Sequence, residues 1–201
     1  MSLTWFFIIL FSIIVVQRIW ETFSKREKET GEVRQKWTLS LVFAAHVIVV
    51  MGSIVEYLLL KRDISLILTF LGIILYLCGL IGRNWSIRTL GKYWSIHLEI
   101  RKDHKLIRNG PYKYMRHPAY LSILFEVCGI PLILNSYFTL LFAVAVYIPL
   151  VLLRIYYEEK EHLTLFGPEY NAYRKEIGAL FPIRNKRAQN VRRQENRNSE
   201  L

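Results

Sequence analysis

Two cysteines are all that 201 residues contain, and both, Cys78 and Cys128, fall inside apolar runs. That count excludes a disulfide scaffold and leaves buried free thiols. Acidic residues are scarce, 16 against 27 basic ones, for a formal net charge of +11. No Gly-rich strand–turn–helix fingerprint is present, so a Rossmann-type nucleotide fold is not indicated. His97, His104, His117 and His162 lack the tight spacing of a metal-ligand set, and no metal is expected. No internal repeat stands out. Charge itself is missing from several long stretches, and that absence is the most informative. At 53% hydrophobic and 14% aromatic residues, the chain is too apolar for disorder. Its charges are bunched between the apolar runs instead of being scattered, as in a membrane protein.

Five runs have the composition of spans: 3–23, 38–60, 64–82, 119–134 and 137–153. About 20 helical residues cross a hydrocarbon core. The first run lacks preceding basic residues and a small-residue cleavage site, so it reads as an anchor, not a signal peptide. Asn135 and Ser136 join the last two runs into a hairpin, and Pro131 and the short fourth run predict tilt or a kink. Lys and Arg number 5 in 24–37, 9 in 83–118 and 10 in 154–201. Five spans put these three segments on one side, so the N-terminus is expected outside and the C-terminus in the cytoplasm. The protein is expected to be multi-pass, in the cell membrane if the source is microbial. The expected fold class is an all-α integral membrane protein of about five transmembrane helices, with a cytosolic cofactor-binding loop and C-terminal helices. Residues 1–183 form one domain. The polar, basic tail 184–201 reads as a disordered segment near anionic lipid, not as a nucleic-acid binder.

Two polar clusters share the basic side. Residues 83–118 are too patterned for a mere connector: 93–100 alternate weakly like a strand, Asn109-Gly110-Pro111 is a turn, and His117-Pro118 marks a helix start. After the fifth run, a helix carries Arg154 outward through Glu158, Glu159 and Glu161. Gly167-Pro168 ends it, and a short helix follows over 169–177. Hairpin partners have neighbouring ends, so one site built from both clusters is geometrically natural. Glu126, inside the fourth run, needs a cavity or a partner such as the fifth run. Glu56 is expected to reach the interface.

The segments His104-Lys105-Leu106-Ile107, Asn109-Gly110-Pro111-Tyr112 and Arg116-His117-Pro118-Ala119-Tyr120 resemble the signature of isoprenylcysteine carboxyl methyltransferases. So does the later run of Arg154, Glu158-Glu159, Leu163, Phe166-Gly167, Glu169-Tyr170, Tyr173 and Pro182. The resemblance covers about 83–183 in register, and phospholipid methyltransferases share a related signature. It implies S-adenosylmethionine as cofactor, a lipid-like or lipidated acceptor entering from the bilayer, and membrane lipids as surroundings. It further implies that His104, Leu106, Ile107, Tyr112, His117 and Tyr120 line the cofactor pocket, that Glu159 meets the cofactor, and that Arg154 orients the acceptor carboxylate.

The residue types suit that chemistry independently. A carboxylate is already a nucleophile at neutral pH and needs no base, but it needs a cation, and arginine offers fixed bidentate donors. Tyr112 and Tyr120 offer aromatic faces to a sulfonium. A carboxylate such as Glu159 suits an ammonium. Arg154 and Glu159 stand about 140° apart around a helix, so a pocket using both must wrap the helix end. Arg154 and Glu158, at i,i+4, also fit an ordinary surface pair. The expected activity is O-methylation of a carboxylate or acidic hydroxyl. The rivals are a phospholipid headgroup N-methyltransferase, which needs a base, and a non-catalytic scaffold or transporter subunit.

Overall fold

The structure is a computed structural model, and it describes residues 32–34, 36–60, 63–95, 98–100 and 106–183. The first expected span (3–23) and the basic tail lie outside the described residues. The elements are α1 (Lys36–Leu60), α2 (Leu66–Leu90), α3 (Pro118–Ile133), α4 (Tyr137–Phe166) and α5 (Pro168–Glu176). A small ribbon joins β1 (Glu32–Arg34) antiparallel to β2 (Leu98–Ile100), with Val33 opposite Glu99. Of the weakly alternating run 93–100, Leu98–Ile100 forms a strand, whereas Tyr93 closes the short 3-10 helix Gly91–Tyr93.

Among the described residues, three helical stretches are long and apolar enough to cross a membrane: Trp37–Leu60, Leu66–Tyr93 and Tyr137–Phe166. The 16-residue α3 is shorter, about 24 Å at 1.5 Å per residue. It is also the most enclosed. Leu124 and Val127 on one face meet Ala45 and Val49 of α1 and Val151 and Ile155 of α4. Ile130 and Ile133 meet Tyr76 of α2. Large apolar side chains such as Phe43, Leu59, Ile67, Phe70, Ile81 and Phe138 are exposed on the surrounding helices. A soluble surface would not carry such a girdle, but lipid accepts it. This is an integral membrane protein of helical fold.

α2 approaches α3 so closely that side chains are excluded. A Cβ on Gly79 would stand 2.6 Å from the Ser122 carbonyl oxygen, and one on Gly72 would stand 2.6 Å from the Ile133 nitrogen. Small residues admit close backbone contact where no water drives helices together. Gly79→Ala is expected to destabilise the protein by about 1–3 kcal/mol, the usual cost of overpacking. Thermal unfolding in detergent measures it, and an unchanged midpoint would contradict so close a crossing.

α2 also continues to Leu90, past the boundary that Arg83 suggested. Arg83 is buried, and its Nε donates to Glu126 Oε1 at 2.7 Å. Glu126, fully buried on α3, has the partner that a carboxylate at this depth needs, and that partner is a cation on α2. A charge paired inside the bundle does not end a helix, although in a sequence it reads as an end.

α4 includes a π-helical stretch, Ala143–Tyr147. Pro149 lies just beyond it and lacks the N–H that Ala145 would need, a common setting for a widened turn. With about 20 residues needed to cross the hydrocarbon, the last ten or so of this 30-residue helix project beyond it. At the far end of the hairpin, the Glu56 carboxylate accepts the N–H groups of Phe138 and Thr139 at 3.1 and 2.9 Å. It thereby caps the first turn of α4. Asn135, at φ 55°, accepts from the Ser65 N–H and donates to Thr69.

Candidate active site

The opposite end of the bundle gathers the starts of α1 and α3, the loop 106–117, the projecting end of α4, and α5. Gly167 makes the last junction possible. It adopts φ +51°, its N–H returns to the Leu163 carbonyl at 3.0 Å, and Pro168 opens α5. α5 then folds back on the loop. Tyr170, Tyr173 and Ile177 pack against Leu106, Leu163 and Phe166. The Tyr173 hydroxyl donates to the Tyr112 carbonyl at 2.5 Å, and Arg108 donates to the Glu169 carbonyl at 2.7 Å. Two backbone bonds, Arg116 N–H to Gly178 and His117 N–H to Ala179, tie the loop to the chain after α5. Burial drives the hydroxyls of Tyr112, Tyr170 and Tyr173 well above the usual tyrosine range, so they remain neutral.

Inside this frame a polar network runs through four helices, α1, α3, α4 and α5. Arg154 is buried on α4; its Nε donates to the Tyr120 hydroxyl at 2.9 Å and its Nη1 to Thr38 Oγ1 at 2.8 Å. The Tyr120 hydroxyl in turn donates to Glu158 Oε2 at 2.6 Å. His117 is buried between two carboxylates, with Nδ1 3.8 Å from Glu158 Oε1 and Nε2 3.2 Å from Glu159 Oε1. Glu159 accepts from Arg116 Nε at 2.9 Å and pairs with Arg174 at 3.5 Å. The Arg116 guanidinium also reaches the carbonyls of Arg174 and Ile177.

These contacts set the charges. Burial alone would raise both carboxyls. For Glu158, His117, His162, the Tyr120 hydroxyl and Arg154 outweigh it and hold the group below the ordinary carboxylate range. For Glu159, hydrogen bonds from His117 and Arg116 hold it down to about 2. Its stabilising contribution is therefore complete above the ordinary glutamate range and fades only as pH falls towards 2.

Of the residues the sequence singled out, Arg154, Tyr120, His117 and Glu159 belong to one connected network. Leu106 and Tyr112 instead belong to the apolar and backbone contacts with α5, and Ile107 is half-buried in the same loop. His104 and His97 lie outside the described residues. Arg154 is 3% exposed, which rules out an ordinary surface pair with Glu158. His162 is half-buried with its ring edge-on to Tyr170 at 5.1 Å. Three participants carried little signal. Glu158 is the i,i+4 partner of Arg154 and looked like a surface charge. Arg116 was a letter in a motif, without a role. Nothing in the sequence connects Thr38 to a residue 116 positions away.

A helical membrane fold with a buried Arg–Tyr–Glu–His network at one end of a hairpin defines a class of membrane protein built to hold charged groups beside the bilayer. Comparison with known proteins specifies it further. Residues 70–164 match the model of the isoprenylcysteine carboxyl methyltransferase (ICMT) family, beginning and ending earlier than the motif resemblance. A Saccharomyces cerevisiae protein-S-isoprenylcysteine O-methyltransferase is 31% identical over 117 residues, 57% of this chain and 49% of that one. A Bacillus subtilis protein, the uncharacterized protein YpbQ, is 29% identical over 142 residues, 67% of this chain and 83% of that one. The solved structure of a eukaryotic intramembrane Ras methyltransferase ICMT aligns with a TM-score of 0.61 at 26% identity, covering 68% of this chain and 52% of that one. The chain is thus similar to members of the ICMT family over its central segment, and it spans about half the length of the yeast enzyme and of the solved structure.

Proposed function

We propose that this chain is a membrane methyltransferase that uses S-adenosylmethionine and O-methylates the carboxylate of a prenylcysteine-like lipid. The observation that carries the reading is the network itself. A buried arginine and two carboxylates are held within about a turn and a half of α4, at the point where the hairpin leaves the bilayer. The residues fit the methyl donor's chemistry. A half-buried, anionic glutamate suits an ammonium, and tyrosine rings suit a sulfonium. S-adenosylmethionine, when bound, supplies an electrophilic methyl group. The chain's own residues do the rest. Arg154 holds the acceptor carboxylate as an anion, so no general base is required. Burial by α5 and the loop 106–117 excludes water, and the network fixes the orientation of the groups.

His104, Leu106, Ile107, Tyr112, His117 and Tyr120 form the methyl-donor pocket in this reading. The acidic partner is Glu158 in preference to Glu159, because Glu159 is already shared by Arg116, Arg174 and His117. This choice also removes the angular conflict, since Arg154 and Glu158 are one turn apart on α4. The network side faces the cytoplasm, as the basic loops require.

Calorimetry with S-adenosylhomocysteine tests the pocket. The wild type is expected to bind, and Glu158→Gln to bind about tenfold to a hundredfold more weakly, the loss of one charge-assisted hydrogen bond. Glu159→Gln is expected to cost thermal stability more than affinity. Unchanged affinity in both Glu158→Gln and His117→Ala would sink the pocket.

A further inference from the structure

Arg154 hangs from its own helix but is fixed by two others. Tyr120 of α3 takes its Nε at 2.9 Å, and Thr38 of α1 takes its Nη1 at 2.8 Å. A guanidinium is planar, and two anchors on different nitrogens determine that plane. Tyr120 is shared with Glu158 and so belongs to both halves of the site. Thr38 accepts from a different nitrogen of Arg154 than Tyr120 does, and it is 3% exposed. Its helix is held by contacts on either side of it. One position before it, Trp37 sets its ring edge-on to Tyr157, with centroids 5.5 Å apart. Two and three turns further on, Ala45 and Val49 are packed in the core against Val151 and Ile155. Thr38 also precedes the segment 70–164 that matches the family.

We propose that Thr38 is a positioning residue for the acceptor: by fixing the guanidinium plane of Arg154, it sets where the acceptor's carboxylate is held. The assignment rests on the methyltransferase reading above. It predicts an effect confined to anionic acceptors, because Thr38 acts through the cation and not by touching the rest of the substrate.

The test uses the full chain in detergent, with S-adenosylmethionine and N-acetyl-S-farnesyl-L-cysteine as the acceptor probe. Its carboxamide analogue serves as a neutral inhibitor. Thr38→Val removes the hydroxyl at nearly constant volume, and Thr38→Ser retains it. The valine variant is expected to raise the KM for the carboxylate probe about tenfold, the loss of roughly one hydrogen bond. The Ki of the carboxamide, the affinity for S-adenosylhomocysteine and the melting temperature should stay close to wild type. The serine variant should restore KM. An unchanged KM in Thr38→Val, or KM, Ki and melting temperature moving together, would overturn the role of Thr38 alone. A wild type that binds S-adenosylhomocysteine but does not methylate the probe would overturn the acceptor reading, and the Thr38 assignment with it. A wild type that binds no S-adenosylhomocysteine would overturn the methyltransferase reading itself.

Discussion

Arg154→Ala is expected to reduce methyl transfer to a prenylcysteine carboxylate by at least about a hundredfold in kcat/KM. Binding of S-adenosylhomocysteine should weaken by less than about tenfold. The size follows from the role. A charge-assisted bidentate contact to a buried carboxylate is worth about 2–3 kcal/mol or more, and each 1.36 kcal/mol is tenfold in rate. The split follows from the geometry. Arg154 donates to Thr38 and Tyr120, and the Tyr120 hydroxyl donates in turn to Glu158. Arg154→Lys should recover little, because a single ammonium cannot hold both anchors and a carboxylate in one plane. Labelled-methyl transfer measures the rate, and calorimetry measures the affinity. Equal loss of both would move Arg154 from the acceptor's side of the site to the methyl donor's.

The second large effect concerns stability. Arg83 and Glu126 are buried in the bundle at 2.7 Å, with exposures of 5% and 0%. Removing one partner strands the other charge, and such a loss costs about 3–5 kcal/mol in protein interiors. Arg83→Ala and Glu126→Ala are each expected to show it as a fall in the unfolding midpoint in detergent. The double variant Arg83→Met with Glu126→Leu should recover most of the loss, because both desolvation penalties vanish together. A single variant with an unchanged midpoint would show that the pair is hydrated and carries no such role. The pair also explains why α2 and α3 lie at one register. Gly79 brings the helices close one turn from Arg83, where a Cβ would stand 2.6 Å from Glu126 Cγ.

These two predictions concern arginines that the sequence treats very differently. Arg154 is flagged by its motif and by its place beyond an apolar run. Arg83 breaks an apolar run and so reads as the end of a span, yet α2 runs seven residues further. Periodicity and hydropathy register a charge, but not the opposite charge 43 positions away that neutralises it. Glu158 and Glu159 show the same limit within a single dipeptide. Composition cannot separate them. Their directions around α4 do, since one faces Tyr120 and Arg154 while the other faces Arg116 and Arg174.

By itself the sequence determined that this is a helical membrane protein. Long uncharged runs, broken by basic segments on one side, have no other stable disposition when every backbone group must be satisfied without water. It also determined where chemistry is concentrated, because two polar clusters at neighbouring hairpin ends resist burial in lipid. It marked local stops as well, such as Gly167-Pro168, since backbone conformation there depends on one residue's allowed angles. Only the tertiary structure decided which charges face one another. It enclosed α3 among three helices, joined Arg83 to Glu126, divided Glu158 from Glu159, and brought Thr38 to Arg154. Those outcomes depend on contacts between segments far apart in the chain, which are set by how helices pack and not by what any one of them contains.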